Sequence, residues 1–135
     1  MYNFNPATQK KLDETSSAVL VGMMKETFRS GTAKSSAAYN WTAPSAGKTG
    51  TTSNNKDAWF SGFTPHQTSL AWIGYDQSLS SQLTGASGPV PVWIELMKFY
   101  QNVWPDDDFK WTPTVEKREV SLHGTDKKTE LIFKK

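Results

Sequence analysis

The chain has 135 residues, which is enough for one domain with a sizeable core. Its 15 Lys and Arg against 13 Asp and Glu give a charge balance too near neutral to indicate a nucleic-acid partner. The sequence has no Cys and two His, which excludes disulfides, thiolate nucleophiles and Cys-based zinc sites, and we expect neither a metal nor any other cofactor.

No stretch of the sequence resembles a membrane span. A spanning helix needs roughly 20 consecutive apolar residues, and no apolar run approaches that length. The first residues, Met1-Tyr2-Asn3-Phe4, lack the basic and apolar regions of a signal peptide. We therefore expect any membrane anchor to lie outside this chain.

The first predicted element is a helix from residue 13 to residue 29. Several apolar and small residues recur there at helical spacing, which indicates one buried face. They are Leu12, Ser16, Val19, Leu20, Met23, Met24, Thr27 and Phe28. Asp13 suits the N-cap position and Gly31 suits the stop. We expect the two methionines, Met23 and Met24, to fill the core.

Two strands are predicted after an irregular connection. Residues 30 to 46 are rich in Ser, Ala, Gly, Thr and Pro, which favours a loop. Residues 58 to 64 and 70 to 75 then carry large apolar side chains on both alternating faces, which predicts strands of a sheet covered on both sides. Their Trp and Phe residues are Trp59, Phe60, Phe63 and Trp72. We expect Trp59, Phe60 and Trp72 to lie in the core rather than to form a ligand platform.

A second helix is predicted from Pro89 or Pro91 to residue 101, after a Ser-rich and Gly-rich connector from 77 to 88. Proline suits the first turn of a helix because no backbone donor is needed there. The expected buried stripe consists of Val92, Trp93, Leu96, Met97 and Tyr100.

Residues 102 to 135 predict an exit linker and a C-terminal tail. The three consecutive aspartates at 106 to 108 predict a solvated acidic turn rather than a cation site. Residues 115 to 135 predict a hairpin that turns at 123 to 126, His-Gly-Thr-Asp. The other histidine, His66, follows the first predicted strand and is expected to be exposed.

The segment 47 to 52, Gly-Lys-Thr-Gly-Thr-Thr, is a dense polar and glycine-containing cluster before the strands. Glycine at a strand edge lets a substrate backbone approach closely, threonine hydroxyls can bind a carboxylate, and lysine supplies a positive field. The cluster therefore predicts a strand edge that binds anions and peptides. The alternative is a solvated turn between two strands, and the tripeptide Lys48-Thr49-Gly50 alone does not exclude it.

The context of this cluster resembles bifunctional class A penicillin-binding proteins. Residues 46 to 52, Ala-Gly-Lys-Thr-Gly-Thr-Thr, are followed by 54 to 65, Asn-Asn-Lys-Asp-Ala-Trp-Phe-Ser-Gly-Phe-Thr-Pro, and by 71 to 75, Ala-Trp-Ile-Gly-Tyr. These segments are similar in residues and order to the third motif and adjoining strands of that family. The resemblance extends over about residues 12 to 101, and the tail is only weakly similar.

This resemblance implies part of a serine D,D-transpeptidase that cross-links peptidoglycan stem peptides and is acylated by penicillin. The family combines S-x-x-K, S-x-N and K-T-G motifs, of which only the third stands here in its expected setting. Lys48 would orient the second-motif serine and attract the substrate carboxylate, which Thr49 and Thr51 would bind. Gly50 and Thr52 would complete the substrate-binding strand. The Thr51 backbone N–H would be one of two oxyanion-hole donors.

Three formal motif matches are rejected. Ser45-Ala46-Gly47-Lys48 fits S-x-x-K as a string, but that motif needs a helix, where residues three apart share a face, whereas this one runs into a strand. Ser53-Asn54-Asn55 fits S-x-N but follows the lysine instead of preceding it. Gly47-Lys48-Thr49 matches the G-K-T end of a phosphate-binding loop motif. However, Thr42 occupies the position of the required first glycine, and a strand is predicted to follow instead of a helix.

The sequence thus predicts an α/β chain of the α+β type, with three antiparallel strands flanked by helices, forming part of a β-lactamase and transpeptidase-like fold. Residues 1 to 101 would be the C-terminal half of the transpeptidase domain. The resemblance implies stem peptides and β-lactams as ligands, the missing N-terminal half as a partner, and a location on the extracytoplasmic face of the bacterial cell membrane. The alternatives are a penicillin-recognising sensor and a non-catalytic structural fragment, which the sequence upstream of Met1 would discriminate.

Overall fold

The structure is a computed structural model that describes residues 12 to 104, 107 to 121 and 127 to 133. The described residues form two compact units, one of residues 12 to 20 with 111 to 121 and 127 to 133, and one of residues 21 to 104 with 107 to 110. The division predicted between residues 101 and 102 stays a prediction. In the described ranges, no helix has both the length and the apolar character that crossing a membrane requires.

Helix α1, Glu14–Arg29, confirms the first predicted element. Asp13 caps it, because its Oδ1 accepts a hydrogen bond of 2.8 Å from the Ser16 amide. Past its end, the Gly31 amide donates to the Glu26 carbonyl at 2.9 Å. A Cβ at position 31 would lie 2.8 Å from Thr27 Cα, so the tight exit from the helix requires glycine there.

The predicted buried face of α1 is wrong for much of its length. Met23 is 64% exposed and Leu20 is 49% exposed, while Met24 is half-buried. Core filling by the two methionines is therefore not observed. The reason is that α1 packs against the hydrophobic core through Phe28 near its C-terminal end.

The connection after α1 contains a 3-10 helix, Lys34–Tyr39, where the sequence predicted an irregular loop. The Ser36 amide donates to the Ala33 carbonyl, and the Asn40 amide donates to the Ala37 carbonyl, each at 3.0 Å. These bonds span three residues, as a 3-10 turn requires. The helix ends at Asn40, whose φ of 55° is tolerated by asparagine.

The central sheet consists of β1, Ala46–Thr51, β2, Asp57–Phe63, and β3, Thr68–Gly74. The strands are antiparallel in the order β1-β2-β3, which confirms the predicted three-stranded sheet. Thr49 pairs with Phe60, and Phe60 with Ala71, so these residues share one face. The opposite face carries the next row of paired residues, Gly50, Trp59 and Trp72.

Helix α2, Pro89–Gln101, covers the face that contains Phe60. It starts at a proline, as predicted, and its Trp93 is fully buried. The Trp93 ring contacts those of Phe28, Trp41 and Phe60 at centroid distances of 5.4 to 5.7 Å. Its Nε1 donates a hydrogen bond of 3.2 Å to the Gly62 carbonyl. This aromatic cluster fixes the sheet against α2.

The predicted stripe of α2 is confirmed for Trp93 and Met97 and wrong for Val92 and Leu96. The latter two are 54% and 42% exposed, whereas Ile94, which the stripe omitted, is fully buried. The buried side is centred on residues 90, 93, 94 and 97, which recur at intervals of one, three and four residues and so occupy one helical face.

Contrary to prediction, the described part of the chain leaves the second face of the sheet uncovered. Trp59 is 37%, Trp72 45% and Leu70 60% exposed, whereas Phe60 is fully buried. The core prediction is thus confirmed for Phe60 and wrong for both tryptophans. Their rings contact each other at a centroid distance of 5.8 Å. Both flanking helices that pack on the sheet contribute to the core on the Phe60 side, which explains the asymmetry.

The segment after α2 is tied to the sheet unit by its acidic residues. Asp107 pairs with His66, whose ring stacks on Trp104, and Asp108 Oδ1 lies 2.6 Å from Lys25 Nζ. The Asp107 and Asp108 side chains nevertheless stay 44% and 45% exposed, which agrees with the predicted solvated segment, and Asp106 lies outside the described residues. His66 is exposed, as predicted, and its side-chain hydrogen bond lowers the pKa of Asp107 below the usual 3.8.

In the other unit, β4, Val115–Ser121, pairs antiparallel with β5, Lys127–Phe133. This pairing lies in the segment for which a hairpin was predicted. The predicted turn at 123 to 126 lies outside the described residues.

Candidate functional site

Strand β1 presents the Lys48 to Thr52 cluster at one edge of the central sheet. Its one neighbour in the described sheet is β2. The side chains of Lys48, Thr51 and Thr52 are exposed, and Thr49 and Gly50 are half-buried. Four of the five residues predicted for the site therefore lie on the edge strand β1, and the fifth, Thr52, follows it directly.

The backbone of β1 directs alternate amides toward β2 and toward the free edge. The Thr52 amide donates to the Asp57 carbonyl of β2 at 3.0 Å. Because successive residues of an antiparallel strand point their N–H groups in opposite directions, the Thr51 and Thr49 amides face away from β2. The Gly47 carbonyl, in the same alternate set, accepts a bond of 2.7 Å from Thr27 Oγ1 of α1, in agreement with this assignment.

The Thr51 amide thus faces the open edge of the sheet, and Thr51 itself is solvent-exposed. A donor in this position can bind an oxygen of a molecule lying along the edge. An extended peptide placed there would meet the N–H and C=O groups of Thr49 and Thr51, which are spaced as in a sheet.

The threonine hydroxyls already have protein partners. Thr49 Oγ1 lies 2.8 Å from Thr32 Oγ1, and Thr51 Oγ1 accepts a bond of 3.0 Å from the Gly85 amide. Since a hydroxyl has one donor and two acceptor positions, Thr51 retains its proton for a further acceptor. Thr32 and Gly85 were not predicted, because their proximity depends on the paths of the loops before β1 and after β3.

Lys48 and Gly50 lie on the uncovered face of the sheet. Lys48 Nζ donates a bond of 2.7 Å to the Thr49 carbonyl, so its charge lies against the free edge of β1. A Cβ at position 50 would lie 3.3 Å from Trp59 Cβ. This distance is shorter than an ordinary van der Waals contact, but the neighbouring Trp59 side chain is exposed. The strand edge therefore combines a cation with free backbone donors, which favours an anionic, extended ligand.

The turn after β1 is closed by contacts that sequence reasoning missed. The Thr52 hydroxyl accepts a bond of 2.8 Å from the Asp57 amide and donates one of 3.1 Å to Asp57 Oδ2. The other carboxylate oxygen, Oδ1, accepts a bond of 3.1 Å from Trp72 Nε1 of β3. An Asp at the start of a strand, after Asn54 and Asn55, was the available signal, since such residues mark turns whose side chains bond to the backbone.

The structure supports the rejection of the competing motifs. Ser45 is buried, and its Oγ accepts a bond of 2.9 Å from Trp41 Nε1 and donates one of 3.0 Å to the Ala43 carbonyl. Ser53 starts a short 3-10 turn, Ser53–Asn55, between β1 and β2. Gly47-Lys48-Thr49 lies within β1, so no helix N-terminus is present there to bind a phosphate.

Neither a metal centre nor the concavity at the far end of β2 and β3 offers a better site in the described residues. In the described ranges no group of three or more His, Cys, Asp or Glu side chains could hold a metal ion. A concavity at the far end of β2 and β3, lined in part by Trp41, His66, Met97 and Trp104, has a volume of about 30 Å³. This volume holds about one or two water molecules, which is too small for a peptide.

No protein-family model matches the chain, but individual proteins do. Penicillin-binding protein 1A of Aquifex aeolicus is 34% identical over 110 residues, which are 80% of this chain and 15% of that protein. Penicillin-binding protein 1B of Vibrio cholerae is 32% identical over 111 residues, 78% of this chain and 14% of that protein. The chain is homologous to part of penicillin-binding proteins 1A and 1B.

Two further comparisons agree with this homology. Penicillin-binding protein 1A of Neisseria gonorrhoeae is 41% identical over 90 residues, 65% of this chain and 11% of that protein. The crystal structure of penicillin-binding protein 1A from Haemophilus influenzae matches the fold with a TM-score of 0.74 at 21% identity, over 88% of this chain and 20% of that one. The chain therefore spans a small part of the penicillin-binding proteins it matches.

Proposed function

We propose that this chain supplies the substrate-binding and oxyanion-hole strand of a serine D,D-transpeptidase, which cross-links peptidoglycan stem peptides and is acylated by penicillin. The observation that carries the proposal is the direction of the Thr51 amide. It points to the free edge of β1, beside an exposed lysine, in a chain homologous to penicillin-binding proteins.

In the proposed reaction, a serine hydroxyl attacks the carbonyl of a stem peptide or β-lactam, and negative charge develops on the carbonyl oxygen. The Thr51 amide and the amide of the nucleophile bind this oxyanion. Loss of one such donor lowers the rate by about a hundredfold to a thousandfold. Lys48, Thr49 and Thr51 bind the carboxylate at the other end of the substrate, and Gly50 lets its backbone approach β1.

The proposal assigns the nucleophile to a part of the protein outside this chain. Ser45 is buried with its hydroxyl bonded on both sides, and Ser53 lies in a turn, so neither has the helical lysine partner that the S-x-x-K motif requires. The rest of the transpeptidase domain would be the partner that covers the exposed face of Trp59, Leu70 and Trp72. Such an enzyme acts on the extracytoplasmic face of the bacterial membrane.

The test is Lys48→Ala in the intact parent domain. Lys48 is exposed, so the variant should fold normally. It should nevertheless be acylated by labelled penicillin at least about tenfold more slowly, because a hydrogen bond to a charged group typically contributes about 1.5 to 3 kcal/mol. Lys56→Ala is the matched control, since Lys56 is also exposed and lies beyond the cluster. Equal acylation of both variants and the unmodified domain, at unchanged melting temperature, would mean that the Lys48 side chain does not contribute to binding the substrate.

A further inference from the structure

We propose that Asp57 is a positioning residue for the oxyanion-hole amide, acting through Thr52 and Trp72. These three residues are named here the Asp57 bracket. The inference rests on the proposed function, because it concerns how the Thr51 amide is held.

The bracket joins all three strands at the end of β1. The backbone of Thr52 donates to the Asp57 carbonyl, and the Asp57 amide donates to Thr52 Oγ1. The Asp57 carboxylate then receives the Thr52 hydroxyl on Oδ2 and the Trp72 indole N–H on Oδ1. Hydrogen bonds to an ionised acceptor are roughly twice as strong as neutral ones. One side chain thereby connects the end of β1 to β3 across β2.

Gly74 provides the space that this arrangement needs. It pairs with Asp57 across β2 and β3, and a Cβ on it would lie 2.8 Å from Asp57 Oδ1 and 2.7 Å from Trp72 Cζ2. Any side chain at position 74 would therefore displace the carboxylate or the indole. The side chains of Asp57 on β2 and Trp72 on β3 therefore require a glycine at position 74.

The bracket bears on Thr51 because Thr51 is the last residue of β1. The chain then turns through Asn54 and Asn55, which have φ of 59° and 52°. Strand ends of this kind open more readily than strand centres. By holding Thr52 with its N–H toward β2, the bracket holds the preceding peptide group with the Thr51 N–H toward the free edge. If Thr52 rotated away, the Thr51 amide would no longer keep its direction.

A purely structural turn cap is the competing explanation, and the kinetics of acylation separate the two. A cap that only stabilises the fold would change the melting temperature and the fraction of active protein. It would leave the acylation rate constant of the active fraction unchanged. A group that aims the oxyanion donor lowers this rate constant with little change in the affinity of the preceding noncovalent complex, because the oxyanion forms only in the transition state.

The experiment measures acylation of the parent domain by a chromogenic β-lactam, with the rate constant separated from the dissociation constant. Asp57→Ala should lower the rate constant by about tenfold to a hundredfold, since a displacement of about 1 Å has effects of this size. Asp57→Asn should lower it less, because one amide oxygen can accept from Thr52 or Trp72 but not from both. Gly74→Ala should also lower it, as a second route to the same displacement.

Asp76→Ala is the matched control, since Asp76 is an exposed acid after β3 and should leave both constants unchanged. Rate constants for Asp57→Ala and Gly74→Ala within twofold of the unmodified domain would overturn the inference. Lys48→Ala is measured in the same series to keep two failures apart. A normal rate for Lys48→Ala refutes the proposed function, whereas a slow Lys48→Ala with normal Asp57 variants refutes only the bracket.

Discussion

A methyl group added at Gly62 would test the packing that fixes the sheet, and with it β1, against α2. Gly62 is buried on the covered face of β2. A Cβ there would lie 2.6 Å from Phe60 Cε1 and 2.7 and 2.9 Å from Trp93 Cε2 and Cζ2, whereas carbon atoms pack at about 3.5 to 4.0 Å. Both rings are fully buried, so neither can move without displacing its own neighbours.

In the intact parent domain, we expect Gly62→Ala to lower the free energy of unfolding by about 2 to 4 kcal/mol, from about 1 to 3 kcal/mol of overpacking and about 1 kcal/mol for the weakened bond between Trp93 Nε1 and the Gly62 carbonyl. With a urea slope of about 1.5 kcal/mol per M, the unfolding midpoint should fall by about 1 to 3 M. Urea unfolding followed by tryptophan fluorescence measures this shift.

Gly50→Ala is the control, because its Cβ would approach only Trp59, at 3.3 Å, and Trp59 is 37% exposed. It should change the stability by less than about 1 kcal/mol. A midpoint for Gly62→Ala equal to that of Gly50→Ala would refute the packing argument, since the aromatic cluster would then be loose enough to accept a methyl group.

Two further predictions concern stability and association. The isolated chain should self-associate or be only marginally folded, because Trp72 and Leu70 leave apolar surface on an open sheet face. Leu70→Lys should reduce the association that size-exclusion chromatography detects. An unmodified chain that is monodisperse and melts cooperatively at high temperature would contradict the prediction. Hydrogen bonds from Ser16, chiefly from its side chain, lower the pKa of Asp13 below 3.8, so the cap should stabilise α1 above pH 4 and lose its effect as the pH falls through the folded-state pKa. Asp13→Ala should therefore lower the melting temperature at pH 7 and lower it progressively less as the pH falls below 3.8, and an equal loss at every pH would show that the carboxylate is not responsible.

Local signals predicted the elements well. Asp13 and Gly31 marked the ends of α1, prolines marked the start of α2, and the apolar runs marked β2 and β3. These features depend on residues close in sequence, where capping, proline geometry and strand patterning act directly. The position of the site cluster on an edge strand also followed, because the glycine-containing run stood immediately before the other strands.

Burial was predicted less well, because it depends on which partners are present. Trp59, Trp72 and Met23 have apolar side chains that favour a core, yet the described part of the chain leaves them exposed. The pattern of a strand shows that a face is apolar but not whether this chain covers it. The Asp57 bracket was missed for a related reason, since the bond to Trp72 depends on the register of β2 and β3, which local sequence does not determine.

The most direct test of the proposed function is to map the penicillin adduct in the parent protein by mass spectrometry of peptides. We expect an adduct on a serine outside residues 1 to 135, slower adduct formation in the Lys48→Ala variant, and no adduct on the isolated chain. A stable adduct on Ser45 or Ser53, in the parent or in the isolated chain, would contradict the claim that this chain provides the binding strand without the nucleophile.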